Sequence, residues 1–385
     1  MRAIQMVDLQ SQYQRVKPEI DAAIQEVLDS TKFIKGPQVE EFANQLAAYT
    51  GAGYVIPCAN GTDALQIAMM ALKLKPGDEV ITATFTYAAT AEVIALLGLT
   101  PVLVEVDPNT FCIDPSAVEA AITPKTKAIV PVHLFGQCAD MERLLEIAKR
   151  NNLYVIEDLA QAIGSVYTFS NGSQKQAGTM GHIGTTSFFP SKNLGCYGDG
   201  GAMFTNDIEL AQDIKMVANH GQRVQYFHDV IGVNSRLDTL QAAILKVKLK
   251  HLDEYCSARQ NVAAYYDKAL AGHPNYKIPT RDPKSTHVFH QYTLQLCGLN
   301  REELKKYLAE KSIPSMIYYP LPLHFQKAFG SENYTTGQFP ISEGLCKCVL
   351  SLPISTEMDE EQLAYIVSHL KEFAEINSNA EQTGN

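Results

Sequence analysis

The sequence predicts an α/β fold in which a mostly parallel sheet is covered by helices, followed by a smaller α+β unit. Three observations lead there. From Tyr54 to Thr205, short apolar runs of strand length alternate with segments of helical spacing. The runs are apolar through their length, as in Tyr154-Val155-Ile156, which is the pattern of strands buried on both faces. Beyond residue 255 the pattern changes to an alternating stretch, Pro-rich turns and separate helices.

Residues 17–29 carry Ile20, Ala23, Ile24 and Leu28 at helical spacing, and Gly36-Pro37 separates that helix from a second over 38–49. Strands are expected at 54–58, 79–83, 102–106, 128–132 and 154–157, with helices over 64–74, 87–97 and 141–150 between them. A strand over 202–205, a helix over 208–218 and a longer helix over 237–252 complete the first unit. The second holds an alternating stretch over 290–296 and helices over 301–311 and 360–373. These patterns divide the chain into a ligand-binding domain at 1–254, a smaller domain at 255–376 and a frayed polar tail at 377–385.

Composition narrows the function. The chain has 385 residues, 46% hydrophobic and 19% charged, enough for one large and one smaller domain. Its net charge of −10 is spread without a basic stripe, which argues against nucleic acid as a partner. Eight cysteines are scattered with no C-x-x-C and no zinc spacing, so free thiols in a reducing cytosol and no metal site are expected. No apolar run reaches signal-peptide or membrane-span length, and a cytoplasmic protein with no membrane partner is the expectation.

Ligands of such sheets lie beyond the carboxyl ends of the strands, and the chemically loaded residues fall there. Gly61-Thr62-Asp63 follows the first strand and opens a helix, where backbone N–H groups and a hydroxyl can bind an anion, or where Thr62 or Asp63 simply caps the helix. Tyr87 follows the next strand and either packs in the core or stacks on a flat ligand. The strand over 154–157 runs into Glu157-Asp158, placing an acid at the crevice for Mg²⁺ or for a pyridine nitrogen; the lack of a P-loop disfavours the first. Lys192 comes 34 residues after Asp158, between aromatics and a run with four glycines in seven residues. A lysine that loses hydration there has its pKa lowered, as Schiff-base chemistry requires. A phosphate site, an aromatic face, an acid for a ring nitrogen and an amine together describe the requirements of pyridoxal 5′-phosphate.

The chain resembles the DegT/DnrJ/StrS family of pyridoxal-phosphate-dependent sugar-nucleotide aminotransferases over nearly its full length. The resemblance rests on Gly36-Pro37, Asn60-Gly61-Thr62-Asp63-Ala64-Leu65, Pro76-Gly77-Asp78-Glu79-Val80 and Val132-His133-Leu134-Phe135-Gly136. It continues through Glu157-Asp158-Leu159-Ala160-Gln161, the Lys192 loop, Gly232-Val233-Asn234-Ser235-Arg236 and Tyr319-Pro320-Leu321-Pro322-Leu323-His324. It implies the aspartate-aminotransferase (type I) fold and a homodimer with shared active sites. Lys192 would carry the Schiff base and Asp158 would face the ring nitrogen, with Gln161 near the phenolic oxygen. Thr62, the Asp63 backbone and Ser187 would hold the phosphate, Tyr87 would stack, and Asn234 would reach in from the partner subunit. Sugar-dehydrating relatives have histidine in place of this lysine, so Lys192 favours transamination.

Within the family, residues 60–65, 187–207 and 232–245 look most like aminotransferases acting on a UDP-linked 3-keto uronic acid for surface polysaccharide. Glutamate is the expected amino donor, and pyridoxamine phosphate the intermediate form of the cofactor. Tyr318 stands where the family often has histidine, and Leu159 replaces a smaller residue. Arg236, His220, Tyr319 and His324 are the expected substrate contacts. Two alternatives stay open: a dTDP- or GDP-linked keto-deoxyhexose as substrate, and a regulatory protein that binds the cofactor without turnover.

Overall fold

The computed structural model describes residues 2–330, 332 and 334–383. Two helices, α1 (Leu9–Ser30) and α2 (Pro37–Thr50), precede β1 (Tyr54–Cys58) and α3 (Gly61–Ala71). Then come β2 (Glu79–Ala83), α4 (Ala89–Leu96), β3 (Thr100–Val104), α5 (Pro115–Ala120), β4 (Thr126–Val130), α6 (Met141–Asn151) and β5 (Tyr154–Asp158). A hairpin of β6 (Val166–Thr168) and β7 (Gln174–Gln176) leads to β8 (Ile183–Ser187), β9 (Gly201–Thr205) and α7 (Ile208–Val217).

Seven of these strands form one sheet in the order β1-β9-β8-β5-β4-β2-β3. β8, β5, β4, β2 and β3 run parallel, while β9 is antiparallel to both of its neighbours. A parallel return needs a long crossover, usually a helix. The 188–200 segment between β8 and β9 contains none, so the chain doubles back and leaves Lys192 at the sheet's carboxyl end.

Strand alternation divides the apolar residues between two cores. Val80, Ala128, Val130 and Ile156 pack with Leu65, Ala68, Val93 and Ile214 of α3, α4 and α7. Ile81, Ile129 and Val155 face the other way, against Phe42 and Leu46 of α2 and Leu144 and Ile147 of α6. Both faces are therefore dry, which explains why these strands read as continuous apolar runs.

After a short exposed hairpin, β10 (Gln222–Val224) and β11 (Phe227–His228), the helix predicted over 237–252 is two helices. α8 (Thr239–Leu249) ends at a turn through Lys250 and His251, and α9 (Leu252–Leu270) follows. The buried face of α9 includes Tyr255, Arg259 and Tyr266, which interrupt the apolar period and hid it in the sequence. A second, antiparallel sheet joins β12 (Tyr276–Lys277), β13 (Tyr292–Leu296) and β14 (Val349–Leu352). α9, α10 (Arg301–Glu310) and α12 (Glu360–Thr383) supply Tyr266, Leu304 and Ile366 to the core beside that sheet. α11 (Pro340–Cys348) leads directly into β14. α12 is assigned as far as Thr383, and 384–385 lie outside the described residues. Among the described residues no helix is long and apolar enough to cross a membrane.

Candidate active site

Asp158 ends β5 at the carboxyl edge of the sheet and is 7% exposed. Its backbone is fixed on both sides: its N–H donates to Pro131 O at 2.9 Å and its carbonyl accepts from His133 N–H at 2.9 Å. One carboxylate oxygen accepts from Thr90 Oγ1 at 2.9 Å and the other from Ala160 N–H at 3.1 Å. Burial pushes the carboxyl pKa up, while these two hydrogen bonds and the charge of Lys192 pull it back.

Lys192 sits in the return between β8 and β9, with its N–H donated to Phe189 O at 2.8 Å. The loop is compact: a Cβ at Gly195 would lie 2.4 Å from Pro190 O, so only glycine fits there. Burial lowers the Lys192 pKa to about 8, against the opposing charge of Asp158. The amine is thus neutral over an accessible range, and an acid lies within electrostatic reach of it.

The start of α3 closes the other end of the site. The first N–H groups of a helix lack intrahelical partners and attract anions. Gly61 meets Ser187 so closely that a Cβ would stand 2.7 Å from the serine Cβ, bringing the end of β8 against this helix start beside Thr62. Ser187 Oγ accepts from Phe189 N–H at 3.2 Å, which leaves its own hydrogen to donate. One expectation changes here: the Asp63 N–H is already given to Asn60 Oδ1 at 2.8 Å, because Asn60 caps the helix.

Tyr87 is 62% exposed and lies 6.4 Å, ring to ring, from Tyr319. Gln161 is held at both ends: its Oε1 accepts from Phe135 N–H at 2.7 Å and its Nε2 donates to the Tyr319 hydroxyl at 3.2 Å. Tyr319, expected as a substrate contact, therefore lies with Gln161 and Tyr87, and Asp158 acts on its hydroxyl electrostatically.

Other expected substrate residues lie elsewhere. His324 is fully buried, its Nδ1 2.7 Å from Thr84 Oγ1 and its Nε2 3.6 Å from Glu343 Oε1. It pins the segment after Tyr319 to the end of β2 and is not open to substrate, which corrects its expected role as a substrate contact. Arg236 lines a separate cleft of about 520 Å³ with Lys35, Asn219 and Arg223, and neither Lys192 nor Asp158 borders it. Asn234 and His220 are exposed; Asn234 bridges to the Asn219 backbone, and His220 O accepts from His228 Nδ1 at 2.8 Å.

Sequence reasoning missed Thr90, whose hydroxyl holds Asp158. A threonine near a predicted helix start carries no distinguishing signal.

An amine of lowered pKa, an acid within electrostatic reach of it, a helix start with a serine hydroxyl and an open aromatic face fit pyridoxal phosphate. Residues 14–371 match the DegT/DnrJ/EryC1/StrS aminotransferase family. A relative from Geobacillus stearothermophilus named "Pleiotropic regulatory protein" is 50% identical over 96% of this chain and 98% of its own. The UDP-2-acetamido-2-deoxy-3-oxo-D-glucuronate aminotransferase of Pseudomonas aeruginosa is 47% identical over 95% and 99%. Further relatives named for dTDP- or GDP-linked sugars are between 36% and 44% identical. The structure of NtdA from Bacillus subtilis with bound cofactor PMP superposes with a TM-score of 0.85 at 34% identity, covering 92% of this chain and 81% of that one. The chain belongs to the DegT/DnrJ/EryC1/StrS aminotransferase family, and is a sugar aminotransferase dependent on pyridoxal phosphate.

Proposed function

We propose that the protein transfers an amino group from glutamate to a UDP-linked 3-keto uronic acid, in a homodimer whose partner subunit completes each site. The observation that carries the chemistry is the desolvated Lys192 amine within reach of Asp158. What supports the sugar is the 47% identity, over 95% of this chain, to an enzyme named for that substrate.

Bound in this site, pyridoxal phosphate supplies an electron-poor ring that can accept negative charge from the substrate carbon bearing nitrogen. Asp158 would keep a proton on the ring nitrogen, and Thr90 and Ala160 hold its carboxylate in position. The start of α3 and the Ser187 hydroxyl would hold the phosphate. Tyr87 would stack on the ring. Gln161 and the Tyr319 hydroxyl, one hydrogen-bonded pair, would serve the phenolic oxygen. Lys192 Nζ, with its lowered pKa, would remove the proton from the carbon bearing nitrogen of glutamate and deliver one to the sugar carbon in the second half-reaction. Asn234 is assigned to the partner's site, and Arg236 keeps no substrate role within its own subunit because its cleft borders neither Lys192 nor Asp158.

Two measurements follow. Reconstitution of the apoprotein should speed up as pH rises through about 8, where Lys192 loses its proton; a midpoint at the ordinary lysine value, about 10.4, would contradict a desolvated amine. In a panel of keto-sugar nucleotides, kcat/KM for the UDP-linked 3-keto uronic acid should exceed that for dTDP- and GDP-linked sugars by at least about tenfold, or roughly 1.4 kcal/mol. A preference for a dTDP- or GDP-linked sugar would overturn the substrate assignment and leave the cofactor chemistry standing.

A further inference from the structure

Behind Asp158 lies an ionisable pair that the proposed mechanism does not use. Glu157 and His133 are fully buried, with His133 Nε2 2.9 Å from Glu157 Oε2. His133 Nδ1 accepts from Ala139 N–H at 3.2 Å, so its proton is on Nε2 and is donated to the carboxylate. The same Glu157 oxygen accepts from Gly178 N–H at 2.8 Å, and the other oxygen from Met180 and Gly181 N–H at 2.7 and 2.6 Å. All of these partners donate, so both Glu157 oxygens serve as acceptors only. A buried negative charge that could be replaced by apolar packing needs a reason.

Its connections supply one. The turn at 178–181 feeds β8, where Thr185 pairs with Asp158 and donates its hydroxyl to Glu157 O at 3.1 Å; Ser187 and Lys192 follow on that segment. His133 opens the segment whose Phe135 N–H orients Gln161, and its own N–H binds Asp158 O. One carboxylate thus ties together the segments that carry Asp158, Gln161 and Lys192. We propose that Glu157 and His133 form a positioning unit that fixes the relative placement of those three residues and holds a negative charge behind Asp158. The proposal rests on the cofactor reading above. Lys192 and His133 act on Asp158 electrostatically, Asp158 in turn acts on Tyr319, and Glu157 faces His133 and the turn at 178–181.

The test uses the loaded enzyme and follows its visible absorbance with pH, alongside kcat and KM for glutamate. Removing a negative charge from behind the site makes every nearby proton easier to lose. Glu157→Gln should therefore lower the titration midpoint. It should reduce kcat by about tenfold or more with little change in KM, the pattern of a lost transition-state interaction. His133→Gln, which can still donate to Glu157, should stay near wild type, and His133→Phe should lose kcat as Glu157→Gln does but without the lowered midpoint, because the carboxylate remains. A folded Glu157→Gln that titrates and turns over like wild type would overturn the proposal. Should that variant not fold, ¹⁵N-histidine NMR of the wild-type holoenzyme decides: a His133 ring protonated on Nε2, with Nδ1 accepting, supports the unit, and a ring protonated on Nδ1 overturns it. Failure of the wild type to bind the cofactor would instead refute the underlying reading.

Discussion

Lys192→Ala is expected to abolish practical turnover while leaving the fold intact. Two losses combine. The amine that takes and returns the proton is gone, which alone costs about 10²–10⁴-fold, and so is the covalent anchor for the cofactor. Alanine introduces no clash, because the lysine lies in a half-buried loop held by backbone contacts of Phe188, Phe189 and Cys196. Circular dichroism should match wild type while steady-state transamination falls below detection. An added small primary amine should restore part of the proton transfer, since it supplies a base without the tether. Ordinary turnover in the variant would remove Lys192 from the mechanism.

Asp158→Asn should lower kcat by about 10²–10³-fold, the scale of losing one preorganised electrostatic contact. Asparagine keeps the shape and can still accept from Ala160 N–H while pairing with the Thr90 hydroxyl, so the site should remain built. What disappears is the negative charge that keeps a proton on the ring nitrogen. The pH profile offers a second readout. Burial raises the Asp158 pKa, so wild-type activity should fall on the acid side at a pH above the ordinary aspartate value of about 3.9. The carboxylate is the active form, and that limb is lost as pH drops through its raised pKa. Asp158→Asn should show no such limb. A variant with wild-type kcat and an unchanged acid limb would assign the proton on the ring nitrogen to another group.

The parts of this site legible in the sequence are those where a strand end meets an unusual residue. Asp158 and Lys192 stood out because apolar strands ran directly into an acid and into a glycine-rich loop. The start of α3 was readable as an anion site, but not which N–H groups remain free once Asn60 caps it. That choice is made by a rotamer and leaves no periodic trace. Likewise, two adjacent acids at the end of β5 point to opposite faces, and the sequence could not say that Glu157 goes inward to His133 while Asp158 faces the crevice. His324 misled because its burial depends on Thr84, 240 residues away, and on Glu343. The fold was legible for the same reason that its strands are dry on both sides. The antiparallel return of β9 was not, since it follows from a missing helix rather than from any residue pattern.

The central claim is that one lysine holds the cofactor opposite Asp158. Borohydride reduction of the loaded protein, followed by digestion and mass spectrometry, tests it most directly. The account predicts a phosphopyridoxyl group on the peptide containing Lys192 and on no other. A label on a different lysine, or none in a protein that transaminates, would contradict it.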